Sequence, residues 1–308
     1  MKILVVGAGG VGGYFGARLA ESGEDVTFLV REKRAKRLRE DGLVVKSIHG
    51  DIHIQPALVT KETPRIFDVV LLSTKAYHLQ EVMEDLTGFV GEETVIVPLL
   101  NGFAHVEQLE MKFGAERVSG GLCFIETTLN EHGHIIQTSG VHKITFGERT
   151  GVGSERMDKL EQAFAKTKAM YKNSDHVLRD MWNKYLFITT LSSVTTLTRA
   201  PIGAVLASKG GEQFVEALMI EIKMVMDAIE APLSENIVQR HMETMHKQDY
   251  GMKSSMQRDM EKGLHVEGDH LQGYLLQKAK EQGMRCPYLE AVYQNLKVYE
   301  VQKNKRSL

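Results

Sequence analysis

Short runs of β-branched and aliphatic residues recur in the first half of the chain: Ile3 to Val6, Val26 to Val30, Val69 to Leu72 and Val95 to Val97. Each run is continuous rather than alternating, and the stretches between them suit helices. Strands buried on both faces and joined by crossover helices have this pattern, which predicts an α/β domain built on a parallel sheet. Between the second and third runs, Leu43 to Ile48 and Ile52 to Leu58 flank His49-Gly50-Asp51 and predict a hairpin insertion. Further on, Gly121 to Leu129, His134 to Thr138 and His142 to Gly147 predict an antiparallel meander, so that the domain's sheet is mixed.

A helix is expected around Ser154 to Lys168, then a strand-like stretch at Ala169 to Tyr171, then Ser174-Asp175 as a helix cap. Beyond that point the apolar spacing is 3.6-like throughout, interrupted at Gly210-Gly211, Pro232, Gly251, Gly263 and Gly283, and no strand is predicted. Most glycines precede residue 175, and most methionines follow it. The expected organisation is a Rossmann-type domain over 1–174 and an all-helical domain over 175–308.

Composition narrows the class without choosing a function. The 308 residues are 43% hydrophobic and 25% charged, which is ordinary for a folded globular enzyme. A formal net charge of -2 gives no general attraction to nucleic acid or to anionic membranes, and neither partner is expected. Cys123 and Cys286 have no metal-like or redox-pair spacing and read as small buried hydrophobes; no metal is expected. The apolar start is broken at Gly7, and no long hydrophobic run follows, so a cytoplasmic location is expected. The basic tail, Lys303 to Arg306, reads as a solvated terminus.

The chemistry begins at Gly7-Ala8-Gly9-Gly10-Val11-Gly12, a GxGxxG that follows a strand and opens a helix. In that context Gly7 permits the tight turn, Gly9 lets the backbone approach a pyrophosphate, and Gly12 lets the helix pack on the strand. Gly10 and Val11 contribute the helix N-terminus that attracts phosphate. The plainer alternative is a glycine-rich turn without ligand. At the tip of the second strand Val30 is followed by Arg31, where an acid would hold the two ribose hydroxyls of NAD or FAD. Glu32 is adjacent, but Lys33 and Arg34 also follow, so the local field favours a 2'-phosphate and NADPH over NADH or a flavin. The Arg31 to Arg39 stretch otherwise reads as a solvated helix face.

Four further segments stand in order along the chain: Ser73-Thr74-Lys75-Ala76, Leu100-Asn101-Gly102, Trp182-Asn183-Lys184, and Ser254-Ser255-Met256-Gln257-Arg258-Asp259 with Glu267-Gly268-Asp269 and Gly273. Together they resemble the ketopantoate reductase family, over nearly the whole chain. The resemblance implies NADPH-dependent reduction of 2-ketopantoate to pantoate, a step toward pantothenate and coenzyme A. It implies Lys184 as general acid and Glu267 as the group that orients it or hydrogen-bonds the nascent hydroxyl. It implies Lys75 and Asn101 at the nicotinamide half of the cofactor or at the substrate, and Ser255 at the substrate carboxylate.

Read without the family, these residues have blander roles. Lys184 could pair on the surface with Asp180 four residues earlier, Lys75 could be a solvated loop charge, Asn101-Gly102 a turn and Ser254 a helix cap. The sequence also departs from the family, which commonly has asparagines four and eight residues after the lysine. Ile188 and Ser192 stand there. Ser192 is retained as a candidate substrate contact, and Thr189, Ser193 or Thr195 are candidates to compensate for the lost amides. The departure leaves open another bulky 2-ketoacid as substrate, while a non-catalytic NADPH sensor is the rival from outside enzymology. A monomer or a homodimer is expected.

Overall fold

The structure, a computed structural model, describes residues 1–306. It forms two compact units, one of residues 1–100 with 105–177 and one of residues 101–104 with 178 onward. Among the described residues no helix is long and apolar enough to cross a membrane.

The first unit contains β1 (Lys2–Val6), α1 (Gly10–Glu21), β2 (Asp25–Leu29), α2 (Glu32–Asp41), β3 (Leu43–Ser47), β4 (Ile52–Ile54), β5 (Ala57–Val59), β6 (Phe67–Leu72), α3 (Leu79–Leu86) and β7 (Val90–Pro98). It continues through α4 (Ala104–Phe113), β8 (Gly120–Leu129), β9 (Ile135–Gly147), α5 (Glu155–Ala165) and β10 (Met170–Asn173). The expected mixed sheet resolves into two sheets. One is five-stranded in the order β5-β2-β1-β6-β7, and every pair in it is parallel. Its central strands are buried along nearly their whole length, which is why they read as unbroken apolar runs. The other sheet runs β10-β9-β3-β4 with β8 on β9, and mixes parallel with antiparallel pairs.

Two expectations change in detail. The second arm of the hairpin ends at Ile54, and Ala57–Val59 leaves to pair in parallel with β2 in the other sheet. Pro56 stands at that break, where its missing N–H and fixed φ end a ladder. The two later arms of the meander are one strand, β9, with a register shift against β8 between Ile125 and Thr127. Ser139, between the two expected arms, holds the strand together: its Oγ donates to the Val141 carbonyl at 2.6 Å and accepts from the Glu126 N–H at 2.9 Å. The helix near 154–168 is α5, capped by the Ser154 hydroxyl, which accepts from the Met157 N–H.

The second unit has no strand among its described residues. It comprises α6 (Val177–Thr198), α7 (Ile202–Ala207), α8 (Gly211–Ala228), α9 (Ile237–His246), α10 (Ser255–Glu261), a π-helical turn at Asp269–Gly273, α11 (Tyr274–Glu281) and α12 (Pro287–Arg306). Helix α6 is buried on most sides, including at Thr189, Thr190, Ser192, Ser193, Thr195 and Thr196. Such a run would ordinarily weaken a helix. Here Thr190, Thr195 and Thr196 donate to the carbonyls of Leu186, Leu191 and Ser192, one turn back, at 2.9, 2.7 and 2.6 Å. Those three hydroxyls are thereby satisfied in an apolar interior, where unpaired polar groups are costly, whereas the buried Thr189 hydroxyl has no hydrogen-bond partner.

Candidate functional site

In the first unit, candidate residues gather at the carboxyl edge of the parallel sheet. The strand order reverses between β1 and β6, the kind of place where open α/β sheets bind ligands. Gly7 follows β1 with φ +92, and a Cβ there would lie 2.1 Å from the Ser73 carbonyl oxygen just beyond β6. Gly12 has no room either, because its Cβ would come within 2.4 Å of the Gly7 oxygen. Gly9 differs: a Cβ there would meet nothing within 4 Å. It sits at the N-cap of α1, with no side-chain cap and no acidic residue in the first turn. Gly10 and Val11, both half-buried, begin that turn. Uncapped N–H groups beside open space suit a pyrophosphate in both charge and shape.

Arg31 is the N-cap residue of α2. Its guanidinium pairs with the Glu81 carboxylate of α3 at 2.5 Å, and the two side chains are 60% and 57% exposed. An ion pair that open to water is weak and exchangeable. The adjacent Glu32, which complicated the sequence reading, is held by Arg39 at 2.9 Å. Arg34 and Arg37 donate to the carbonyls of Gly133 and His132, so they are partly committed to the second sheet's hairpin. Lys75 is half-buried, three residues beyond β6, and begins a single 3-10 turn.

The second unit holds the other cluster. Lys184 lies on α6 and is only 8% exposed, with its Nζ donating to Asn101 Oδ1 at 2.8 Å. Each member of the Trp182-Asn183-Lys184 motif has a distinct attachment. The Trp182 ring stacks on Phe103 at 4.3 Å. Asn183 Nδ2 donates to Ser234 Oγ at 2.7 Å, its Oδ1 accepts from the Ser234 N–H at 3.0 Å, and its carbonyl lies 2.8 Å from His241 Nε2. With its neighbours fixed on either side, the Lys184 ammonium is presented at one place. Tyr185 continues the series, donating its hydroxyl to the Leu271 carbonyl at 2.6 Å.

Glu267 is half-buried at the head of the π-helical turn, where its carbonyl accepts from the N–H groups of His270 and Leu271. His270 was not singled out from sequence. Burial pushes its pKa down, while the Glu267 carboxylate and a hydrogen bond to the Asn101 carbonyl pull it back up. Lys184, Asn101, His270 and Glu267 therefore form one connected chain of contacts. Ser192 is differently placed: it is 4% exposed, its hydroxyl donates to the Thr189 carbonyl, and it accepts from Gln272 Nε2 at 3.0 Å. Gln272 also reaches Ser193 at 3.1 Å, while Ile188 packs half-buried against the apolar core of the unit. Ser254 caps α10, accepting from the Gln257 N–H at 3.0 Å, and its hydroxyl meets Thr195 Oγ1 at 2.8 Å. Ser255, the first residue of α10, is exposed.

Sequence reasoning passed over Glu81, His270 and Gln272. Glu81 lies on a helix without a motif of its own, and His270 stands at a variable position between Asp269 and Gly273. Gln272 had a faint signal, as an uncharged polar residue one position before Gly273 in the ExDxxxG stretch.

Residues 3–151 match the family model described as ketopantoate reductase PanE/ApbA, and residues 176–300 match that described as ketopantoate reductase PanE/ApbA C terminal. The chain is 47% identical over 303 residues to the uncharacterized oxidoreductase YkpB of Bacillus subtilis, covering 98% of this chain and 100% of that one. A crystal structure of 2-dehydropantoate 2-reductase from Methylococcus capsulatus superposes with a TM-score of 0.88 at 27% identity, covering 98% of both chains. The ternary structure of D-mandelate dehydrogenase with NADH and anilino(oxo)acetate shares the fold, with a TM-score of 0.87 at 20% identity over 99% of both chains.

Proposed function

Since the chain belongs to the ketopantoate reductase family and is an oxidoreductase of that type, we propose that it uses NADPH to reduce a 2-ketoacid, in the first instance 2-ketopantoate to pantoate. The single observation that carries this reading is the buried Lys184 ammonium held by Asn101 Oδ1. The surface-pair alternative for Lys184 would leave its ammonium in solvent, and burial at 8% exposure argues against it.

Bound NADPH would supply the hydride that goes to the keto carbon. As the C=O π bond breaks, negative charge develops on the keto oxygen, and the Lys184 ammonium stabilises it at short range in a poorly hydrated place. Lys184 then transfers one proton from Nζ to that oxygen, leaving the hydroxyl and a neutral amine that recovers its proton from solvent. Asn101 orients the ammonium by accepting one of its protons. Glu267, in this reading, accepts from the nascent hydroxyl or steadies the ammonium. Ser255 is the proposed donor to the substrate carboxylate. Lys75 is the proposed cation on the cofactor side, close to the glycine turn through the shared ends of β1 and β6.

The glycine turn supports dinucleotide binding, because Gly9 leaves room beside the uncapped start of α1. Preference for NADPH rests on Arg31, whose exposed pair with Glu81 a 2'-phosphate can replace. The same fold is found in D-mandelate dehydrogenase with NADH, so both nicotinamide cofactors belong in the assay.

A second substrate reading has its own support. One turn beyond Lys184 the side chain is the apolar Ile188, and two turns beyond it the Ser192 hydroxyl is engaged by Gln272. That helix face offers little to a substrate hydroxyl, which favours a 2-ketoacid with an apolar branch. Oxidation of NADPH and NADH should be measured with 2-ketopantoate and with branched and aromatic 2-ketoacids. No turnover with any of them would sink the reductase reading, and a clear winner other than 2-ketopantoate would choose the second substrate.

A further inference from the structure

We propose that His270 is a positioning residue that sets Lys184 by holding the backbone of Asn101. The inference rests on the reading of Lys184 as proton donor. Within the helical unit, the ring N–H of His270 donates to the Asn101 carbonyl, while the side chain of the same asparagine accepts from Lys184 Nζ at 2.8 Å. One residue is thus gripped at its backbone by the π-helical turn and at its amide by α6. An asparagine whose main chain drifted would carry Oδ1, and with it the ammonium, away from the reacting oxygen.

The surroundings show that this turn is built to be held. Gly102 has φ +86, and a Cβ there would lie 2.9 Å from Leu271 Cδ2 and 3.2 Å from His270 Cδ2. The two residues of the π-helical turn therefore occupy the space that a side chain at 102 would need. Phe103, next along, stacks on Trp182. From the other side, Tyr185 donates to the Leu271 carbonyl at 2.6 Å, so the residue after Lys184 is tied to the residue after His270. The two segments are cross-linked at adjacent positions, and rotation of either one is resisted by the other.

The π-helical turn explains why a histidine can do this. One extra residue in a helical turn shifts every following side chain around the axis, and such insertions are often kept where a side chain must be aimed. Here the turn spans Asp269–Gly273 and follows Glu267, whose carboxylate lies close enough to His270 to favour its charged form. Burial opposes that charge more strongly, so at neutral pH the ring is a neutral donor whose N–H is committed to Asn101. A neutral ring also places no second full charge beside the Lys184 ammonium, which a lysine or arginine at 270 would do.

Two substitutions separate aiming from mere packing. His270→Phe keeps the ring's bulk and removes the donor, whereas His270→Gln keeps an N–H donor and gives up the ring. With the best 2-ketoacid and NADPH, His270→Phe should lower kcat by about ten- to a hundredfold, the usual scale for a small misplacement of a reacting group. Its NADPH affinity, read by quenching or enhancement of nicotinamide fluorescence, should stay unchanged. His270→Gln should recover most of kcat. Full turnover in His270→Phe would overturn the proposal, as would an equal loss in both variants.

A structure of His270→Phe tests the proposal independently of the chemistry assigned to Lys184. Displacement of the Asn101 carbonyl and of the Lys184–Asn101 contact supports it, and an unmoved contact refutes it. Lys184→Ala, run alongside, reports on the proton-donor reading itself. If His270→Phe does not fold, nitrogen-15 spectra of the wild-type imidazoles decide. A slowly exchanging ring N–H hydrogen-bonded to a carbonyl is expected for His270, and a freely exchanging ring would refute the assignment.

Discussion

Lys184 and Arg31 are both cations, but their surroundings ask opposite things of them. Lys184 is nearly buried against a neutral acceptor, which keeps its ammonium in one place and poorly hydrated. Lys184→Ala should therefore retain NADPH binding, because the glycine turn and Arg31 belong to the other unit, while kcat falls roughly a hundredfold or more. Lys184→Arg should restore little, since a guanidinium keeps its proton and its planar fork does not fit an ammonium's place. Single-turnover rates read directly from NADPH absorbance would check both, and a fast arginine variant would reduce Lys184 to an electrostatic clamp. Arg31, well exposed and facing Glu81, is in the proposed reading a selector and not a reactant. Arg31→Ala should weaken NADPH about tenfold while changing NADH little, one charge-assisted contact being worth about 1.5 kcal/mol or more. Parallel titrations of the two cofactors would expose an equal change, which would remove Arg31 from cofactor choice.

The turn from β1 into α1 shows how three glycines of one motif answer to different constraints. Gly7→Ala forces a Cβ into the Ser73 carbonyl at a positive φ, and Gly12→Ala drives one into the Gly7 carbonyl. Both should destabilise the first unit by several kcal/mol, with backbone displaced on either side, as overpacking does at its worst. Gly9→Ala meets open space and should leave the melting temperature within a few degrees, while filling the room a pyrophosphate would occupy. Thermal unfolding beside NADPH titration separates these outcomes. If Gly9→Ala bound NADPH as tightly as wild type, the phosphate cradle would have to lie elsewhere. The motif's spacing was legible because a required φ or a close backbone approach is a local demand that one residue type meets. Its partner Ser73 was not, since nothing in the first strand says which later strand will lie beside it.

At the scale of the whole molecule, one buried histidine gives the first unit a defined response to acid. His142 is 3% exposed, stacks on His49 at 3.7 Å and has its Nδ1 2.6 Å from the Tyr14 hydroxyl. Burial, then the nearby His49 and Arg18, lowers its pKa from 6.5 to about 4. The unfolded chain therefore takes up a proton that the native chain refuses. This contribution to stability is whole above about pH 6.5 and declines as the pH falls toward 4, with a slope of at most about 1.4 kcal/mol per pH unit for one proton. Urea unfolding at pH 5 and pH 7, in wild type and in His142→Gln, should show the variant less sensitive to the change. An identical pH response in the two proteins would remove His142 from the acid limb.

What the chain determined by itself is what local rules can read. Continuous apolar runs announced strands covered on both faces, 3.6-type spacing announced the helical second half, and a glycine motif between a strand and a helix announced a tight turn with open space at Gly9. The tertiary structure decided the pairings made at a distance. Arg31 meets Glu81 across 50 residues, and Asn101 reaches Lys184 across 83. Ala57–Val59 joins the parallel sheet although its neighbours suggested a longer hairpin, and residues 101–104 pack with the helical unit although they follow a strand of the other. The reason is the range of the forces involved. Periodicity and backbone conformation are set within a few residues, whereas a contact such as His270 on Asn101 exists only when two remote segments are folded against one another.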